Sequence, residues 1–385
     1  MIPYGRQSVS QDDIDAVVGV LKSDFLTQGS VLPDFEKAVT HKVGAAFAVA
    51  ANSATSSLHS AVAALGLGPG DLLWTTPITF VATANCARYL GADVDFVDID
   101  PATFNMCPDA LEEKLIAAEK SGRLPKIVAP VHMCGQSPDM RRLSSLARRY
   151  GVKIVEDASH AIGASYEDQP VGCCTYSDIT VFSFHPVKII TSAEGGMALT
   201  NDAELAERMR RFRSHGVTRD PGLMRGESDG PWYYQQLELG YNYRMTELQA
   251  ALGLSQMDRL DAFVESRNSL ADRYHTLLKD LPLTLPVCRE NCRSSYHLYV
   301  IQLESQAEDA RTRFFNSLRS NDIGVNVHYI PVHLQPYYRD LGFNPGDFPK
   351  SEQYYRCAVS IPLYPDLTHA QQDYIAEVIA REIPR

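Results

Sequence analysis

Across 385 residues the chain carries 36 basic and 47 acidic side chains, a formal net charge of −11, and 45% hydrophobic residues. That length exceeds what one hydrophobic core usually serves, so two domains of unequal size are expected. The acidic balance excludes a general nucleic-acid surface, which needs a basic face, and no uninterrupted apolar run of about 18 residues offers a membrane span.

Met1 to Gln7 contains no basic region followed by an apolar segment, so a cytoplasmic protein is expected. Ser8 to Asp13 supplies helix N-cap candidates, and Ile14, Val17, Val18 and Leu21 then recur at helical spacing. A polar loop, 23–29, leads into an amphipathic helix over 32–43. The run 45–50 reads as a short buried strand, with Asn52-Ser53-Ala54-Thr55-Ser56-Ser57 and an apolar helix over 58–65 behind it. Small and hydroxyl residues between a strand and a helix leave N–H groups beside hydroxyls at the positive end of the helix dipole, an anion seat. Taken alone, the same residues are equally a plain N-cap. Neither a P-loop nor a G-x-G-x-x-G spacing is present.

Further strands are predicted at 72–75, 94–97, 127–131, 153–156, 179–184 and 197–200, with helices such as 110–118 and 139–150 between them. Most of these strands are apolar throughout, which predicts a mainly parallel seven-stranded sheet covered by helices on both faces. Ligands of such sheets sit beyond the carboxyl ends of the strands, where Ser53, Phe80, Asp157 and Ser183 fall.

Asp157 follows the strand 153–156 directly. It is a candidate helix cap, an ion-pair member, or the partner that keeps a pyridinium nitrogen protonated about 30 residues before a Schiff-base lysine. His160 is a candidate donor to a phenolic oxygen, or a satisfied core histidine. The stretch from Thr180 to Gly196 presents Lys188 among Ile, Ala and Gly, where an ammonium is poorly hydrated. The neutral amine that results is the nucleophile of Schiff-base chemistry; in isolation the stretch also suits a surface lysine after a strand.

Residues 212–243 read as a long surface excursion, usually functional or interfacial. A strongly periodic helix over 246–260 follows, its pattern continuing to 281 as a bridge to the second domain. That domain offers strands at 298–303 and 325–330 and helices at 308–318 and 369–379. The eight cysteines show no paired C-x-x-C spacing and read as reduced thiols, with no metal site expected.

Together, Ser53-Ala54-Thr55, Phe80, Asp157, Ser183 and Lys188 stand in the order of a phosphate seat, a ring-stacking face, a pyridinium partner, a phosphate hydroxyl and a Schiff-base lysine. On these residues the whole chain resembles the DegT/DnrJ/EryC/StrS family of pyridoxal-phosphate sugar aminotransferases. Within it, Ile2-Pro3-Tyr4-Gly5-Arg6, Leu26-Thr27-Gln28-Gly29, Thr76 to Asn85, Ser183-Phe184-His185, Ala193-Glu194-Gly195-Gly196, Arg213-Ser214-His215-Gly216 and Val327-His328-Tyr329 are most similar to the UDP-4-amino-4,6-dideoxy-N-acetyl-β-L-altrosamine transaminases of pseudaminic acid synthesis. Many members have Gln at the position of His160.

The resemblance implies the aspartate-aminotransferase type of α/β fold (type I), with a large cofactor domain over 1–257 and a small α+β domain over 258–385. It implies pyridoxal 5′-phosphate, cycling with pyridoxamine 5′-phosphate, bound by Ser53, Ala54, Thr55, Phe80, Asp157, His160, Ser183 and Lys188. Lys188 and Asp157 carry the catalysis, and Asn242 completes the site of a neighbouring protomer in a homodimer. A UDP-linked 4-keto sugar is expected against Tyr4, Asp24, Phe25, Leu26, Thr27, Val327, His328, Tyr329 and Ile330, with L-glutamate as amino donor.

Overall fold

The computed structural model describes residues 1–305, 307 and 309–384. Seven strands form its central sheet: β1 Phe47–Ala51, β2 Leu72–Thr75, β3 Asp93–Phe96, β4 Ile127–Ala129, β5 Lys153–Asp157, β6 Ile179–Ser183 and β7 Gly196–Thr200. Their spatial order is β1-β7-β6-β5-β4-β2-β3. Only β7 runs against its neighbours, and the pairs from β6 through β3 are all parallel. The mainly parallel seven-stranded sheet expected from the sequence is therefore observed. Every residue of β6 and β7 is buried, as strands covered on both faces require.

Helices α1 Gln11–Leu21, α2 Val31–Val43, α3 Ala54–Ala64, α4 Ala82–Tyr89, α5 Pro108–Ser121, α6 Met140–Arg149 and α7 Ala203–Phe212 surround this sheet. One face packs Leu58, Ala84, Val155, Val181 and Met209; the other packs Phe35, Val39, Phe182, Phe184 and Met197. α3 starts four residues earlier than its apolar run suggests. Ser53 is its N-cap, accepting from the Ser56 N–H, so the hydroxyl stretch is the first turn rather than a loop.

The helix expected over 246–260 ends sooner: α8 Glu247–Met257 and α9 Leu260–Leu278 are separate, with Asp258 and Arg259 between them. A second sheet joins β8 Leu283–Thr284, β9 Tyr299–Leu303 and β10 Ala358–Ile361. With α9, α10 Ala310–Ser320 and α11 His369–Glu382 it encloses its own core around Tyr274, Tyr299, Ile301, Phe314 and Ile375. The predicted first residue of α10, Glu308, lies outside the described residues. Ile2 packs against this second core, its N–H donating to the Asp322 carbonyl at 2.7 Å.

The strand predicted at 325–330 does not form. Asn326 alone bridges to Ser360, exchanging both backbone hydrogen bonds with it, and at the next rung, two residues on, the His328 carbonyl instead accepts the Tyr354 hydroxyl at 2.7 Å. The chain leaves the sheet there and carries His328 and Tyr329 toward the large sheet. Among the described residues no helix is long and apolar enough to cross a membrane.

Candidate active site

Lys188 lies in the connection from β6 to β7. The Phe184 N–H donates to the Gly195 carbonyl and the Ser192 N–H to the Phe184 carbonyl, which folds the connection back on itself, while Ile189 and Ile190 anchor it in the core. The lysine just before them is half-buried and its ammonium has no hydrogen-bond or ion-pair partner among the described residues. Burial draws its pKa from 10.5 down to about 8, with the Asp157 carboxylate pulling the other way.

Asp157 closes β5 and is buried. Thr83 Oγ1 donates to its Oδ2 at 2.6 Å, and the Ser159 N–H donates to its Oδ1 at 3.1 Å beside the Ser159 hydroxyl. Both carboxylate oxygens are thereby oriented. His160 is buried three residues on, with Nε2 3.1 Å from Tyr329 Oη and its ring 4.4 Å from that of His297. Its Nδ1 is buried without a partner among the described residues. Burial first, then the charge of Lys188, holds this imidazole far below its usual range and so neutral at physiological pH.

Tyr329 also lies 6.3 Å, ring to ring, from Phe80, a residue 59% exposed. His328 donates or accepts at Nδ1 with Ser360 Oγ at 2.7 Å and meets the Tyr4 ring at 5.5 Å. Burial, seconded by Lys188, lowers its pKa to about 3. The loop between α10 and β10 thus closes over the carboxyl ends of β5 and β6.

At the start of α3, Ser53 Oγ accepts from the Ser56 N–H at 3.1 Å and lies 2.9 Å from Ser56 Oγ, which donates to Asn52 Oδ1 at 2.7 Å. The first-turn amides of Ala54 and Thr55 have no acceptor within the helix. Gly196 makes this position attainable: a Cβ there would sit 2.5 Å from Ala54 N and Cα. Ser183 pairs with Gly196 in the sheet and so ends β6 beside the same helix start.

Asn242 is exposed and, among the described residues, bridges only to Ser214, while the next residue, Tyr243, accepts the Asn52 N–H at 2.8 Å. Val327 is half-buried and Ile330 is exposed at the rim. Asp24, Phe25, Leu26 and Thr27 are all exposed. The Leu26 carbonyl caps α8 by accepting the Glu247 N–H, and among the described residues no hydrogen bond, ion pair or ring contact joins 24–27 to the Lys188 cluster. Thr83, Ser159 and His297 are part of the site without having been singled out in the sequence. Ser159, two residues past Asp157, was open to an Asx-turn reading; Thr83 and His297 arrive from other elements and carry no local signal.

The arrangement fits pyridoxal phosphate on three counts. The close approach at Gly196 sets the start of α3, whose first amides are free for a phosphate, the oriented Asp157 suits a pyridinium, and the unpartnered His160 Nδ1 suits a phenolic oxygen. Residues 7–380 match the DegT/DnrJ/EryC1/StrS aminotransferase family. The chain belongs to this family. DegT-family aminotransferases are pyridoxal-phosphate enzymes acting on sugars, and the fold is that of type I.

Among its relatives, the spore coat polysaccharide biosynthesis protein SpsC of Bacillus subtilis is 38% identical over 98% of this chain and 96% of its own. The UDP-4-amino-4,6-dideoxy-N-acetyl-β-L-altrosamine transaminase of Campylobacter jejuni (strain 81-176) is 34% identical over 98% and 96%. Helicobacter pylori PseC, an aminotransferase involved in pseudaminic acid biosynthesis, superimposes with a TM-score of 0.91 at 32% identity, covering 99% of both chains. Spr1654 of Streptococcus pneumoniae in its PMP form gives 0.91 at 29% identity over 99% and 98%.

Proposed function

We propose that this sugar aminotransferase moves an amino group from L-glutamate to the 4-keto carbon of a UDP-linked 6-deoxy-N-acetylhexosamine, giving UDP-4-amino-4,6-dideoxy-N-acetyl-β-L-altrosamine for pseudaminic acid. Amino transfer is supported by one observation, a poorly solvated lysine after β6 whose pKa burial draws down to about 8 against the charge of the oriented Asp157 carboxylate. The sugar is supported by the Campylobacter and Helicobacter relatives.

Bound pyridoxal phosphate supplies an aldehyde that captures amines and a protonated ring that draws electrons from the carbon losing its proton. Lys188 offers a neutral amine, roughly a tenth of the population at pH 7 for a pKa near 8, and its Nζ moves the proton at the reacting carbon. Asp157 faces the ring nitrogen and keeps it protonated. His160 accepts the Tyr329 hydroxyl at Nε2 and donates from Nδ1 to the phenolic oxygen. Phe80 covers a ring face. Ser53, Ala54, Thr55 and Ser183 hold the phosphate, joined by Asn242 of a neighbouring protomer in a homodimer. Tyr4, 24–27 and 327–330 receive the nucleotide sugar. We divide the chain at 257/258, with 1–257 holding the cofactor and 258–385 covering it.

A yellow wild-type protein that aminates a UDP-4-keto-N-acetyl sugar, and a colourless, inactive Lys188→Ala variant, are the expected results. Full transaminase activity in Lys188→Ala would overturn the role of the lysine. No turnover of any UDP-4-keto-N-acetyl sugar would overturn the substrate. A second reading, another nucleotide 3- or 4-keto sugar, is favoured by the higher identity to SpsC, and a panel of UDP- and dTDP-keto sugars separates the two.

A further inference from the structure

Among the described residues, nearly every basic side chain that is not fully exposed is paired. Arg213 meets Glu36, Arg259 meets Asp13, Lys114 meets Asp95, and the buried Arg267 spends its guanidinium on the carbonyls of Tyr296, His297 and Leu363. Two are not: Lys188 and Arg244, half-buried with no hydrogen-bond, ion-pair or ring partner among those residues. Withdrawing a guanidinium from water without a counter-charge costs free energy, so an unpaired one in an acidic chain points to a ligand that brings the charge.

The backbone puts Arg244 beside the anion seat. Tyr243, before it, accepts the Asn52 N–H at 2.8 Å, one residue from the α3 N-cap. Met245, after it, is buried with its Cε where a Cβ on Gly195 would come within 2.5 Å. Gln249 at the start of α8 donates to the Glu194 carbonyl at 2.9 Å, tying the segment to the connection that holds Lys188. Its two neighbours are thus pinned, one to the strand-end turn at Asn52 and one to the Gly195-Gly196 turn. A guanidinium on such a support binds carboxylate or phosphate oxygens through paired N–H donors.

We propose that Arg244 receives an anionic oxygen group of the reactants, the carboxylate of the amino donor or the diphosphate of the nucleotide sugar. This rests on the reactants assigned above, and two half-reactions separate the sources. With cofactor-loaded protein, Arg244→Gln lowers kcat/KM for L-glutamate at least about tenfold if a carboxylate binds there, and lowers kcat/KM for the UDP-keto sugar, measured with the amine-loaded protein, if the diphosphate does. Arg244→Lys recovers part of the loss, and the absorbance of bound cofactor is unchanged in both variants. On the unmodified holoenzyme, glutarate or UDP slows phenylglyoxal labelling of Arg244, read by mass spectrometry of its peptide. Wild-type kcat/KM in both half-reactions of Arg244→Gln overturns the proposal, and so does labelling of Arg244 that neither glutarate nor UDP slows. Failure of the wild type with UDP-keto sugars alone would overturn the substrate assignment, while the L-glutamate half-reaction still reads Arg244.

Discussion

Lys188 sets the pH behaviour of the site because its ammonium is poorly solvated in the folded chain. An unfolded lysine titrates near 10.5, and this one near 8 in the folded state. Between those values the unfolded chain holds the extra proton, so raising the pH favours the folded form; below pH 8 the folded cofactor-free protein bears the whole cost of the charge. Lys188→Met should therefore stabilise the cofactor-free protein at pH 7 by about 1–3 kcal/mol, the advantage fading as the pH approaches 10. Urea denaturation of both proteins at pH 7 and pH 10 reads the difference, and an equal gain at the two pH values would remove the lysine's charge as its cause. In the wild type the same titration makes the rate of pyridoxal phosphate capture rise with pH through an apparent pKa near 8. Stopped-flow absorbance follows it, and a flat profile between pH 6.5 and 9 would contradict it.

At the scale of elements, the decisive contact is the one between the start of α3 and the first residue of β7. Ala54 N and Cα are backbone atoms that cannot rotate away from a Cβ at position 196. Gly196→Ala should cost about 1–3 kcal/mol of stability through overpacking and weaken pyridoxal phosphate binding at least about tenfold, because the seat amides move with the helix. Gly68→Ala, where a Cβ meets nothing within 4 Å, is the matched control. Thermal melts and cofactor titrations of the two variants check this, and a Gly196→Ala protein that binds cofactor like the control would show that the contact does not shape the seat. The same elements mark how far the sequence could be read. Strands buried on both faces are largely apolar runs, so β2, β5, β6 and β7 were legible, with Asp157 and Ser183 at the ends of β5 and β6 and Lys188 in the connection beyond. The first turn of α3 was not: the stretch 52–57 reads as an N-cap or an anion seat, but Ser and Thr disfavour helix interiors, so the helix is expected only from 58, and the capping geometry shows that Ser53 is the cap. The run 325–330, with Val325, Val327 and Ile330, reads as a strand, but the His328 carbonyl that would carry its next rung goes to the Tyr354 hydroxyl. Thr83 and His297 reach the site from elements 74 and 137 positions from Asp157 and His160, a distance that no local pattern encodes.

For the molecule as a whole, the surface carries apolar groups that a solitary chain has no use for. Phe25 is 60% exposed, Trp232 71% and Leu239 76%, the last two on the excursion that also bears Asn242. Exposed aromatic and aliphatic groups gathered on loops mark interaction surfaces more often than free ones. Burial of these loops against a second copy is what the proposed homodimer requires, and Asn242, exposed and with a side chain that makes no hydrogen bond among the described residues, is free to serve a partner. Complementation tests this directly. Lys188→Ala and Asn242→Ala chains, each nearly inactive alone, are co-expressed with different affinity tags. In a mixed dimer, the intact Lys188 of one chain is completed by the intact Asn242 of the other. Random pairing makes about half of the dimers mixed, each with one complete site, so about a quarter of wild-type activity should return, and about half in dimers purified through both tags. If Asn242 served its own chain, every site in the mixed dimer would lack one of the two residues. Activity in doubly purified dimers no higher than in either parent would therefore place Asn242 in the site of its own protomer and leave the dimer with no part in catalysis through this residue.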